Sequence, residues 1–123
     1  TIMDVNLFFY AAFILMLIHE MDAVRRHEWR VFPLLARIKD DERGYLLFSV
    51  IHIPLYLALF FALFPGEGGI NHSAADGFAI FCIVHVALHL LFSKHPAYEF
   101  NNWYSWMLIL GAGLAGAIDL AVR

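Results

Sequence analysis

Histidine and acidic side chains recur inside apolar stretches of this sequence. His85 and His89 are spaced i, i+4, so on a helix their side chains lie on one face. His19 and Asp22, three residues apart, likewise share a face, whereas Glu20 points about 100° away. Neutral imidazoles beside a carboxylate are typical ligands of zinc and of non-haem iron. The residue types and their spacing therefore indicate a metal site.

The composition is that of a membrane protein. The chain has 123 residues, of which 62% are hydrophobic and 15% charged, and its mean hydropathy is +0.70. The net charge of -3 argues against a nucleic-acid partner. Cys82 is the only cysteine, which excludes an intrachain disulfide and a cysteine-rich metal site.

Four apolar stretches must position the histidines. A membrane span needs about 20 apolar helical residues, and the stretches that qualify are 5–24, 45–64, 77–93 and 103–122. The sequence therefore predicts an all-α, integral membrane four-helix bundle that forms a single domain over 1–123. Asp76 is the expected N-cap of the third helix. Gly111, Gly113 and Gly116 predict close helix packing, within the bundle rather than in a dimer.

The connectors differ in charge, and this difference predicts the orientation. The first connector carries six of the eight basic residues, the second carries none, and the third carries Lys94. By the positive-inside rule the first and third connectors are cytoplasmic, so both termini lie on the non-cytoplasmic side.

Counting residues inward from the cytoplasmic ends puts four histidines in one layer of the cytoplasmic leaflet. At 1.5 Å per residue, His19 lies roughly 8 Å deep, His52 roughly 10 Å, His85 roughly 12 Å and His89 roughly 6 Å. Ionisable side chains in lipid turn toward the bundle interior and find partners there. The predicted metal ligands are His19, Asp22, His52, His85 and His89, with Glu20 as the catalytic base or proton carrier.

Two alternatives to a metal site stay open at this point: a purely structural polar cluster that ties the helices together, and a group that handles protons. His27 and Glu28, just beyond the first span, are expected to be solvated in the connector. A position beneath the site is the alternative for these two residues.

The segment HEMD at the end of the first span, together with four spans in a short chain, resembles small bacterial membrane proteins of the HXXEE type. Those proteins carry a histidine followed by acidic residues. Asp22 matches the acid three positions after His19, but Ala23 stands where a second acid would follow. The resemblance covers roughly residues 1–30 and implies that histidine and acid act as a unit in a bacterial inner membrane. It implies no particular activity.

Three functions fit these observations. The first is a small membrane metalloprotein with zinc or iron, acting on a hydrophobic or lipid-like substrate that enters from the bilayer. The second is a haem- or pigment-binding subunit of an electron-transfer or photosynthetic complex, with His52 and either His85 or His89 as the axial pair. The third is an accessory subunit of a larger membrane complex, with structural histidines. Membrane lipids are the expected partners in every case, and other membrane subunits in the last two.

Overall fold

The computed structural model of the protein describes residues 2–123, with side chains from Asn6 onward, and Thr1 of the predicted domain lies outside this range. The described chain contains four α-helices and two 3-10 helices: α1 (Ile2–Arg25), η1 (Glu28–Arg30), η2 (Leu35–Arg37), α2 (Asp41–Leu63), α3 (His72–Phe92) and α4 (Trp103–Val122). All four α-helices are long and apolar enough to cross a membrane. The predicted all-α fold with four spans is confirmed.

The start of α3 differs from the prediction. The side-chain oxygen of Asn71 accepts hydrogen bonds from the backbone N–H groups of Ser73 and Ala74, at 3.1 and 3.4 Å. Asn71 is therefore the N-cap, and the prediction of Asp76 as the cap is wrong because asparagine caps a helix equally well and stands five residues earlier. Asp76 lies inside α3 and forms an ion pair with Arg123 at 3.0 Å.

The core of the bundle consists of α1, α3 and α4, with α4 packed along both of the others. Glycines make this packing close. A Cβ atom on Gly116 would lie 2.9 Å from the carbonyl oxygen of Ala79, and one on Gly113 would lie 2.5 Å from Val86 Cγ2. The predicted close approach within the bundle is confirmed, and it joins α3 to α4.

Helix α2 lies at the periphery. Only 11% of its span is buried, against 33–44% in the other three helices. Its start is held by a close contact in which the Trp29 ring covers Gly44, where a Cβ atom would lie 2.3 Å from the indole nitrogen. Between this end and Leu63, which is fully buried at the other end, side chains of α2 and α3 line a common gap. This gap borders the site described next.

Candidate metal centre

Three histidines and one glutamate meet at the end of the bundle that carries the first connector. One ligand atom from each of His19, Glu28, His85 and His89 lies within 4.8 Å of the others. For comparison, a tetrahedral ion with bonds of about 2.1 Å holds its ligand atoms about 3.4 Å apart. This histidine–glutamate cluster has the ligand types and the spacing to hold one metal ion after small side-chain rotations.

The three imidazoles contact one another. The ring centroids are 4.4 Å apart for His85 and His89, 4.5 Å for His19 and His85, and 5.0 Å for His19 and His89. The i, i+4 spacing on α3 stacks two of the rings on one face, and α1 brings the third against them. The structure thus brings together three of the four histidines that the sequence places in one layer.

His19 is completely buried, and neither of its ring nitrogens has a hydrogen-bond partner among the described residues. The Nδ1 atom of His85 is also buried and also lacks a hydrogen-bond partner among these residues. Buried polar atoms are almost always hydrogen-bonded, and each one left without a partner costs about 1–3 kcal/mol. A metal ion bonded to one nitrogen of each ring would remove much of this cost.

Glu28 reaches the cluster because the chain reverses direction just after α1. His27 adopts a left-handed backbone conformation, with φ 52° and ψ 48°, and η1 follows immediately. The side chains on either side of Glu28 fix this turn. His27 Nδ1 lies 3.1 Å from the Glu99 carboxylate, and the buried Trp29 packs against Gly44 of α2. Arg30 pairs with Glu99 at 3.2 Å and with Asp41. The carboxylate is thereby held beneath the imidazoles, with Oε1 3.8 Å from His89 Nε2.

The environment of Glu28 favours a neighbouring cation. Burial, and to a smaller extent the negative charges of Glu20 and Asp22, raise the pKa of the Glu28 carboxyl to about 8. No cationic side chain makes an ion pair with Glu28 among the described residues. A divalent cation bound beside Glu28 would stabilise the ionised carboxylate in this setting.

Tyr98 supports one of the imidazoles from outside the cluster. Its hydroxyl oxygen lies 2.8 Å from His89 Nδ1. Burial and the Glu28 charge raise the pKa of the Tyr98 hydroxyl, so the phenol stays protonated. If the Nε2 atom of His89 binds a metal, Nδ1 carries the hydrogen and donates it to Tyr98, which is how metal-bound histidines are commonly oriented.

The structure places two of the predicted ligands elsewhere. Asp22 is buried, but it lies outside the cluster: its carboxylate accepts a hydrogen bond from Ser105 Oγ at 2.5 Å and pairs with Arg25 at 2.6 Å. It links α1 to α4. Side chains three residues apart share a helix face only approximately. His19 can therefore contact α3 while Asp22 contacts α4.

His52 also lies outside the cluster, in a separate pair with Glu20. The His52 Nδ1–H group donates to the Phe48 carbonyl oxygen at 2.7 Å, and Nε2 lies 2.7 Å from Glu20 Oε2. A carbonyl can only accept, so Nδ1 carries a hydrogen, and the short contact to Glu20 requires one more proton between Nε2 and Oε2. The Glu20–His52 pair thus holds one transferable proton and is neutral overall.

A cavity of about 350 Å³ connects these groups. Glu28, His85 and His89 are on its wall, as is the Glu20–His52 pair, and the rest of the lining is almost wholly apolar. Several of the lining residues on α2 and α3, such as Leu55 and Leu88, are exposed, so the cavity opens outward between those two helices. An ion in the cluster would face this largely apolar space.

The chain belongs to the family described as a family of unknown function, DUF6713, whose profile matches residues 5–123. No match was found among curated proteins or among solved structures.

Proposed function

We propose that this member of DUF6713 is an integral membrane metalloprotein in which His19, Glu28, His85 and His89 bind one zinc or non-haem iron ion and expose it to a hydrophobic substrate. Neutral imidazoles with one carboxylate suit both metals. The formal charge of a divalent ion is then reduced to +1 by Glu28. Such a charge is acceptable in an apolar site when a further anionic ligand completes the coordination.

The observation that carries this proposal is the environment of His19. Its ring lies fully buried against two other imidazoles, with both nitrogens lacking hydrogen-bond partners among the described residues. A structural histidine that ties helices together is expected to use its nitrogens for interhelical hydrogen bonds. If the histidines were purely structural, nothing would offset the free-energy cost of burying two unpaired ring nitrogens. A metal bound to His19 would offset part of that cost.

The cavity defines what the bound ion can do. A metal held by His19, Glu28, His85 and His89 would supply Lewis-acid chemistry, such as polarising an oxygen or lowering the pKa of bound water. The Glu20–His52 pair lies on the same cavity and holds one transferable proton. We assign this pair, rather than Glu20 alone, the role of proton donor or acceptor toward a molecule in the cavity.

The same geometry argues against haem. Two axial imidazoles must lie on opposite sides of a flat macrocycle. The three clustered rings instead contact one another at centroid distances of 4.4–5.0 Å, and His52 is hydrogen-bonded at both nitrogens. None of these residues is arranged as a pair around a macrocycle.

Metal analysis of matched variants tests the proposal. Protein purified in detergent without chelators should contain about one zinc or iron ion per chain, and X-ray absorption should give metal–nitrogen distances of about 2.0–2.1 Å for zinc. His85→Ala should lose the ion, whereas His72→Ala on the same helix should keep it. Glu28→Gln should weaken binding, whereas Glu67→Gln in the second connector should not. Wild-type protein that takes up neither metal would leave only an accessory, structural role for the cluster.

We further propose that the cluster lies in the cytoplasmic leaflet of a bacterial inner membrane, with both termini on the opposite side. The support is the concentration of basic residues in the first connector, next to the cluster. Labelling of Lys39→Cys and Asn71→Cys variants in sealed cells tests the orientation, since the native Cys82 is buried. Labelling of position 39, and not 71, from outside would reverse it.

A further inference from the structure

A second cavity, of about 330 Å³, continues from the one beside the cluster. The two share Glu20, Leu55 and Phe81 as lining residues. We call the first the cluster cavity and the second the inner cavity. The inner cavity extends toward Leu63 at the far end of α2, between α1, α2 and α3. The two spaces therefore follow each other along the gap that separates α2 from α3.

The polar side chains of this passage are concentrated at one end, in the cluster cavity. The cluster cavity carries the acidic, histidine and tyrosine side chains, whereas the inner cavity beyond Glu20 is lined by apolar residues and the Tyr56 ring. Among the described residues, neither cavity is lined by Lys or Arg. A ligand that fills both spaces must have one small polar end at the cluster and a long apolar remainder.

The length of the passage sets the length of that apolar part. From Phe48 in the cluster cavity to Leu63 in the inner cavity, α2 advances 15 residues, or roughly 22 Å. An extended chain advances roughly 1.2 Å per covalent bond, so this distance corresponds to about 18 bonds. The cluster cavity alone, from Phe48 to Leu55, offers roughly 10 Å.

Charge selects the polar end. A divalent ion with Glu28 leaves a formal charge of +1, and the Glu20–His52 pair is neutral because it shares one proton. Asp22 is paired with Arg25 and contributes no net charge. A single carboxylate would therefore neutralise the site and supply the missing ligand.

We infer that the two cavities together bind a long-chain carboxylic acid of about 16–18 carbons, with the carboxylate at the metal and the chain in the gap between α2 and α3. This inference rests on the proposed metal site. The hydrocarbon chain of the ligand enters laterally from the bilayer, because exposed apolar residues of α2 and α3 border the opening.

Gly77 provides a selective test of the inner cavity. It lines this space on α3, and a Cβ atom added there would meet nothing within 4 Å. Gly77→Phe should therefore fill the inner cavity without disturbing the helix. The matched control is Ile80→Phe, one turn further along α3, where the side chain is exposed and lines neither cavity.

The experiment measures binding of radiolabelled palmitate to zinc-loaded protein in phosphatidylcholine nanodiscs, with empty nanodiscs subtracted. Palmitate should saturate at one molecule per chain. Gly77→Phe should weaken palmitate binding at least tenfold but change binding of octanoate, which fits in the cluster cavity, by less than twofold. Ile80→Phe should alter neither. Hexadecyltrimethylammonium, with the same chain and a cationic end, should show no saturable binding.

Two results would overturn the inference: palmitate affinity that Gly77→Phe leaves unchanged, or the cationic amphiphile binding as tightly as palmitate. Failure of the metal site gives a different result. In that case neither zinc nor iron binds, and saturable palmitate binding that Gly77→Phe removes would keep the chain passage while refuting the metal as its anchor. Retained zinc content and an unchanged melting temperature in Gly77→Phe verify that the variant is folded.

Discussion

Zinc binding should release a proton from Glu28, and the amount can be worked out from the environment of this residue. Burial and neighbouring negative charges raise the pKa of Glu28 to about 8. At pH 7 the metal-free carboxyl is then about nine-tenths protonated, and at pH 9 about one-tenth. Only the carboxylate binds zinc. Binding should therefore release about 0.9 proton from this residue at pH 7 and about 0.1 proton at pH 9.

Isothermal titration calorimetry measures this release. Zinc is titrated into metal-free protein at each pH in two buffers with different ionisation enthalpies, and the difference in heat gives the number of protons. The Glu28→Gln variant keeps the three imidazoles and removes the titrating group, so subtracting its release isolates the contribution of Glu28. Proton competition also weakens wild-type zinc affinity as pH falls below 8, by up to tenfold per unit, or about 1.4 kcal/mol.

Equal proton release in wild type and Glu28→Gln at pH 7 would refute this reasoning. It would mean that the carboxyl is already ionised in the metal-free protein, or that it does not bind the metal. Glu67→Gln serves as the control, because Glu67 is exposed in the second connector and should release protons as wild type does.

Three further substitutions have expected outcomes. Gly116→Ala should destabilise the bundle by about 1–3 kcal/mol, because the new methyl group would lie 2.9 Å from a carbonyl oxygen of α3; thermal unfolding in detergent measures this. Ser105→Ala should cost about 1.5–3 kcal/mol in the same assay, because the buried Asp22 carboxylate loses a hydrogen-bond donor. His52→Ala should keep the bound metal, by elemental analysis, because this ring pairs with Glu20 rather than with the cluster.

Each of these outcomes has a contradicting result. Wild-type stability of Gly116→Ala would mean that α3 and α4 lie further apart than described, and Gly77→Ala is the control because its methyl group meets open space. Unchanged unfolding of Ser105→Ala would mean that Asp22 is not hydrogen-bonded there. Loss of the metal from His52→Ala, without loss of the fold, would make His52 a ligand.

The sequence was sufficient to predict the four helices and three of the four clustered side chains. Span length and composition identify the helices because lipid imposes a fixed thickness and excludes unpaired backbone groups. His85 and His89 follow from helix periodicity, and His19 follows from its depth. These are local properties, which a single sequence contains directly.

Glu28 could not be predicted in the same way. Its position depends on the left-handed turn at His27 and on contacts that Trp29 and Arg30 make with distant parts of the chain. Nothing in the neighbouring residues distinguishes such a tethered turn from a solvated connector. The one weak signal in the sequence is that Glu28 stands beside Trp29, whose ring packs on Gly44 of α2. The contact between Trp29 and Gly44 is known only from the fold.

His52 shows the limit of depth as a criterion. The counting places it in the same layer as the other histidines, and it does line the same cavity. Depth does not specify how far a helix stands from the bundle axis or how it is rotated, and α2 lies at the periphery. Its histidine therefore meets Glu20 on the near side of α1 instead of joining the three imidazoles.

The peripheral position of α2 has an evolutionary consequence. All four side chains of the cluster come from α1, η1 and α3, and none from α2. Substitutions on the cavity face of α2 can therefore accumulate without displacing a metal ligand or weakening the packing of α4 against its neighbours. If the cluster holds an ion as proposed, this helix could diverge within a lineage to admit a longer, shorter or branched molecule while the ion stays in place. Under the proposed function, mutations in this one helix would be one route to a change of substrate.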